Sequence, residues 1–80
     1  MNGWNHRLIA HEDGDDIFYQ IHEVYYNKDG FPESYTEKGV SVGSNTIEGI
    51  NWVLDRMREC IDKPILWANE KFPDEFNMKK

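Results

Sequence analysis

Three histidines, one cysteine and fifteen carboxylates are the residues of this 80-residue chain whose chemistry could make a reactive site. His6, His11 and His22 show no metal-ligand spacing. There is no Cys-x-x-Cys and no His-x-x-x-His, and neighbouring His22 and Glu23 would point to opposite faces of a strand. Asp13-Gly14-Asp15-Asp16 is far shorter than the roughly twelve-residue loop that holds calcium. Cys60 falls near the end of a predicted helix, where the backbone dipole opposes a thiolate. No serine sits in a nucleophile elbow, and Gly39-Val40-Ser41-Val42-Gly43 lacks the Gly-Lys-Ser/Thr of a phosphate loop. The chain therefore reads as a non-enzyme, with no catalytic residue, metal or cofactor. A small metal-binding protein or hydrolase using His22, Glu23 and Cys60 is the alternative, while a hydrogen-bonded structural role suits His22 better.

Trp52 is the residue that stands out for recognition. On a helical wheel it lies roughly 170° from the centre of the apolar stripe, where a large indole serves as an interaction anchor or as a seat for Trp67 or Phe72. Beside it Glu48, Asp55, Glu59 and Asp62 form an acidic row about 21 Å long. Glu12, Asp13, Asp15 and Asp16 make a second cluster at a turn. Rows of carboxylates suit a partner's Lys and Arg, and ordinary solvation of a helix face produces the same pattern.

The elements that must carry these residues follow from periodicity. Ile17 to Tyr26 is rich in β-branched and aromatic residues and is bounded by Asp13-Gly14 and Asp29-Gly30, which makes it the middle strand of two hairpins. Trp4 to Ala10 precedes it. Phe31 to Thr36 follows, resuming at Val40 to Val42, with Pro32 marking an edge. Ile47, Ile50, Leu54, Met57 and Ile61 step by three and four residues along one helix, widened by Val53 and Cys60. Asn45 or Ser44 is the expected cap, and Lys63-Pro64 the stop. The predicted fold is α+β: a three-stranded antiparallel β-meander with one α-helix on one face, residues 1–66 forming the domain and 67–80 a tail.

Centring the first turn on Asp13-Gly14 sets Ala10 opposite Ile17, Leu8 opposite Tyr19 and Asn5 opposite His22. One face then holds Trp4, Leu8, Ala10, Ile17, Tyr19 and Ile21 beneath the helix. The other holds Ile9, Phe18, Val24 and Tyr26 with nothing assigned to cover them, unlike the clean alternation of a sheet open to water. Either the tail folds over these four or a second copy does, which makes them the candidate dimer face.

Net charge is −6, which opposes direct binding to phosphate backbones and favours encounter with a basic protein surface. The single cysteine excludes an internal disulfide and suits a reducing compartment. No stretch approaches the ~18 apolar residues of a membrane span, so a cytoplasmic location is expected, that of the host cell if the chain is phage-encoded.

Trp4-Asn5-His6-Arg7, Ile21-His22-Glu23-Val24-Tyr25-Tyr26 and a capped helix ending in Lys63-Pro64-Ile65-Leu66 resemble a family of small bacterial proteins with no assigned activity. The resemblance spans residues 4–66 and transfers no functional residue. Small size, acidity and the lack of catalytic motifs are also similar, at the level of class only, to phage anti-CRISPR and other anti-defence inhibitors. The expected function is non-catalytic binding to a basic surface of a protein partner through Trp52, Glu48, Asp55, Glu59 and Asp62. A homodimeric accessory protein is the second reading.

Overall fold

The computed structural model describes residues 3–76. Strands β1 (Gly3–Asp13) and β2 (Asp16–Tyr26) form one long antiparallel hairpin, and β3 (Pro32–Tyr35) pairs antiparallel with β2. After helix α1 (Ile47–Arg58) and a 3-10 turn over Glu59–Asp62, strand β4 (Leu66–Trp67) joins the free edge of β1 in parallel. The fold is thus α+β with a curled mixed sheet of order β3-β2-β1-β4. The fourth, parallel strand corrects the expected three-stranded antiparallel meander.

Local chemistry explains the hairpin. Gly14 and Asp15 are the two loop residues, and Gly14 takes a φ of 64°, which costs glycine nothing and suits the twist of the flanking strands. The pairing is Ala10 with Tyr19, Leu8 with Ile21 and Arg7 with His22. It differs from the expected register by two residues. A two-residue slip leaves every side chain on its predicted face, because the pleat has period two.

Of the two covers expected for the second face, the chain's own C-terminal segment is the one found. Ile9 and Val24 are wholly buried and form the core with Leu66 and Ala68, while Tyr26, Tyr35 and Phe72 pack against them. The predicted tail seals this face: Leu66 pairs with Ile9, the Ala68 amide donates to the Ala10 carbonyl at 3.0 Å, and Phe72 meets Tyr35 ring to ring at 4.7 Å. Fully burying Leu66, Ile9 or Val24 stabilises by roughly 1.5–3 kcal/mol each. A boundary after Leu66 would cut through β4.

Thr46 caps α1, not Asn45 or Ser44; its hydroxyl accepts from the Gly49 amide at 2.9 Å. Burial on the helix centres on Val53, Met57 and Cys60, so α1 is rolled by roughly 60° from the orientation its apolar stripe predicts at 100° per residue. Ile47 (81%), Leu54 (46%) and Ile61 (66%) consequently stay exposed. Val40 to Val42 is not a strand, although the Val40 amide still donates to the Ile21 carbonyl at 3.0 Å.

Candidate functional site

Trp52 and Arg56 lie one helical turn apart on a single flank of α1, a consequence of the 3.6-residue period once Thr46 has set the start. The roll of the helix turns that flank toward the start of β1. The Arg56 guanidinium carbon stands 5.0 Å from the Trp52 ring centroid and 5.7 Å from that of Trp4. One cation is thus held by two indoles that are 59% and 47% exposed. Such contacts contribute about 0.5–1 kcal/mol each at exposed sites, the ring face being the negative end of the quadrupole.

Trp4 is held edge-on by His6, ring centroids 5.4 Å apart. The cleft between β1 and α1 has a volume of about 200 Å³, with His6, Glu23 and Val40 on its walls beside the indoles. Burial lowers the His6 pKa from 6.5; Glu23 opposes that shift, Arg56 adds to it and Glu59 opposes it. Glu23 accepts from the Tyr25 hydroxyl at 2.7 Å, and that hydrogen bond raises the Tyr25 pKa.

The predicted docking residues keep their exposure. Glu48, Asp55, Glu59 and Asp62 are all exposed on α1 and the turn after it. Neither candidate cover reaches Trp52: Trp67 packs on Phe76, centroids 4.8 Å apart, and Phe72 packs on Tyr35. The acidic first turn is less free, since Lys71 pairs with Glu12 at 3.3 Å. Trp4 and Arg56 were not singled out from sequence, although the i,i+4 spacing of Trp52 and Arg56 carries that signal.

The candidate dimer face fares differently. Ile9 and Val24 are buried and Tyr26 is half-buried, so they offer no open face; Phe18 alone of the four is exposed, at 53%. The physical reason is β4, whose pairing with β1 draws Leu66, Ala68 and Phe72 over them.

His22 is 1% exposed and faces Arg7, not Asn5. Its Nδ1 lies 2.9 Å from the Thr36 carbonyl, which can only accept, so Nδ1 carries the proton and Nε2 accepts from His11 Nε2 at 3.0 Å. Cys60 is wholly buried, and burial raises its pKa. Among the described residues no group of three or more His, Cys, Asp and Glu is placed to hold a metal ion, and no helix is long and apolar enough to cross a membrane. Comparison with family models, curated proteins and solved structures finds no match to this chain.

Proposed function

We propose that this chain is a non-catalytic binding protein that occupies a basic surface of a protein partner through the Trp52 flank of α1. The observation that carries the reading is an indole left 59% exposed beside four exposed carboxylates in a chain of net charge −6. Tryptophan at a contact buries much apolar area at little rotameric cost, and carboxylates around it steer a cationic partner and set its register. The grip of Trp4 and Trp52 on Arg56 supports a preference for guanidinium, because a partner's Arg can stack where Arg56 does and reach Asp55 or Glu59.

Partners that handle nucleic acid present such rows of Lys and Arg, which otherwise hold phosphate. Inhibition by occupying a row of that kind, in the manner of a phage anti-defence protein, is the biological role this reading assigns.

An oligo-arginine peptide is a suitable probe, with tryptophan fluorescence as the readout. Trp52→Ala combined with Asp55→Lys is expected to weaken binding by at least about tenfold, or ~1.4 kcal/mol, while the variant stays folded. Asp13→Asn with Asp15→Asn, on the distant hairpin turn, should change it less than about twofold. Equal binding by the wild type and the α1 variant would remove the proposal.

A further inference from the structure

Trp4, His6, Glu23 and Tyr25 share one face of the β1–β2 hairpin, because the register sets Trp4 opposite Tyr25 and His6 opposite Glu23. Trp52 and Arg56 of α1 close over Trp4, His6 and Glu23 to make the cleft of about 200 Å³. That is below the ~300–1,000 Å³ of sites that bury a drug-sized ligand, and it suits the end of one side chain. Two of its walls are indoles, whose negative ring faces attract cations. A third is the Glu23 carboxylate, which the Tyr25 hydroxyl holds in place. Arg56 stands over both rings without reaching a carboxylate: among the described residues the one ion pair is Lys71 with Glu12. Glu23 therefore lines a cation-attracting cleft with no cation paired to it.

We propose that this cleft receives one arginine side chain of the partner, with Glu23 as its counter-charge and Arg56 as a resident competitor that the incoming guanidinium displaces. The inference rests on the proposed docking through the Trp52 flank and names the residue that enters there. Arg56 argues for the occupant, since a guanidinium of the chain itself already stands over both indoles. A partner's Arg meets the same rings and gains Glu23, with which Arg56 does not pair. A planar guanidinium stacks on a ring and offers a carboxylate two parallel N–H donors, so it uses every wall of the cleft. An ammonium, a compact and strongly hydrated charge, uses them less well. Two guanidiniums side by side repel, so Arg56 leaves as the partner's enters. Arg56 is half-buried and its described contacts are the two rings, which leaves its long side chain able to swing away.

N-acetyl-arginine amide is the probe, titrated into the full chain while the indole N–H signals are followed by NMR. The signals of Trp4 and Trp52 should shift with one common dissociation constant, and that of Trp67, packed on Phe76, should stay. Glu23→Gln, which keeps an acceptor for Tyr25, should weaken binding about threefold or more, and Trp4→Ala likewise. Arg56→Ala should strengthen it about threefold, by ending the competition that lowers the apparent affinity. Arg58→Ala removes the same charge from an exposed position of α1 and should change binding less than about 1.5-fold. N-acetyl-lysine amide should bind more weakly than the arginine probe. Circular dichroism should show the fold retained, since Glu23→Gln conserves shape and Trp4 is half in water. Unmoved Trp4 and Trp52 signals overturn the proposal. So does wild-type binding by Glu23→Gln, or an Arg56→Ala variant that binds no tighter than Arg58→Ala. The broader reading fails separately, if oligo-arginine binding survives Trp52→Ala with Asp55→Lys. Oligo-arginine binding that needs that flank yet ignores Glu23→Gln and Arg56→Ala leaves the docking in place and removes the arginine pocket alone.

Discussion

His11 and His22 meet nitrogen to nitrogen on the face of the sheet that the chain's own C-terminal segment covers, Nε2 to Nε2 at 3.0 Å. Only one proton fits between the two nitrogens. With His22 Nδ1 committed to the Thr36 carbonyl, a protonated His22 would turn a second N–H toward His11 and require the His11 ring to change tautomer.

Burial lowers the His22 pKa from 6.5; the hydrogen bond to Thr36 opposes the shift and His11 adds to it. A base whose folded pKa is depressed contributes stability that is fully present above 6.5 and lost as pH falls from there through the lower folded value. His6 acts in the same direction. Urea unfolding midpoints should therefore fall from about pH 8 to about pH 5. His22→Asn, which keeps a donor for Thr36 and cannot titrate, should flatten that dependence; an unchanged slope would assign it elsewhere.

Leu66 sits 2% exposed against Ile9 and Val24. Leu66→Ala should cost about 2–5 kcal/mol by lost transfer energy and a residual cavity. The total for a chain of 80 residues is about 4–12 kcal/mol. Ending the chain after Ile65 also removes Ala68 and Phe72 and uncovers the core. Denaturant titration of that truncation should show no cooperative transition.

Trp52→Ala should be mild for the fold. The indole is mostly in water and its described partner is the Arg56 guanidinium, so thermal unfolding should report a loss of no more than about 1 kcal/mol. A larger loss would mean that Trp52 supports the core and would weaken its assignment to docking.

Cys60 is wholly buried and its pKa is raised, burial being the largest cause. Native protein at neutral pH should react with a thiol reagent at least about tenfold more slowly than urea-unfolded protein, because both thiolate fraction and access are reduced. Equal rates would show that the segment around Glu59–Asp62 opens readily.

What the sequence determined by itself was local. The β-branched and aromatic run from Ile17 to Tyr26, the glycine turns and the three-four spacing from Ile47 to Ile61 carry their own signals, because propensity, turn geometry and periodicity depend on neighbours in the chain. The exposed row of Glu48, Asp55, Glu59 and Asp62 beside Trp52 was legible for the same reason, being the polar side of one helix. The face assignment survived even a misplaced register, since a shift of two residues preserves the pleat. Tertiary structure alone decided which face would be sealed. Leu66 and Trp67 are too short a segment to read as a strand, and a parallel pairing to β1 across more than fifty residues leaves no local trace. That pairing brings Ala68 and Phe72 over Ile9 and Val24. The roll of α1 was equally invisible, because a broad apolar stripe permits several orientations and the packing partner selects one. Arg56 therefore reaches Trp4, while Ile47, Leu54 and Ile61 are left facing water.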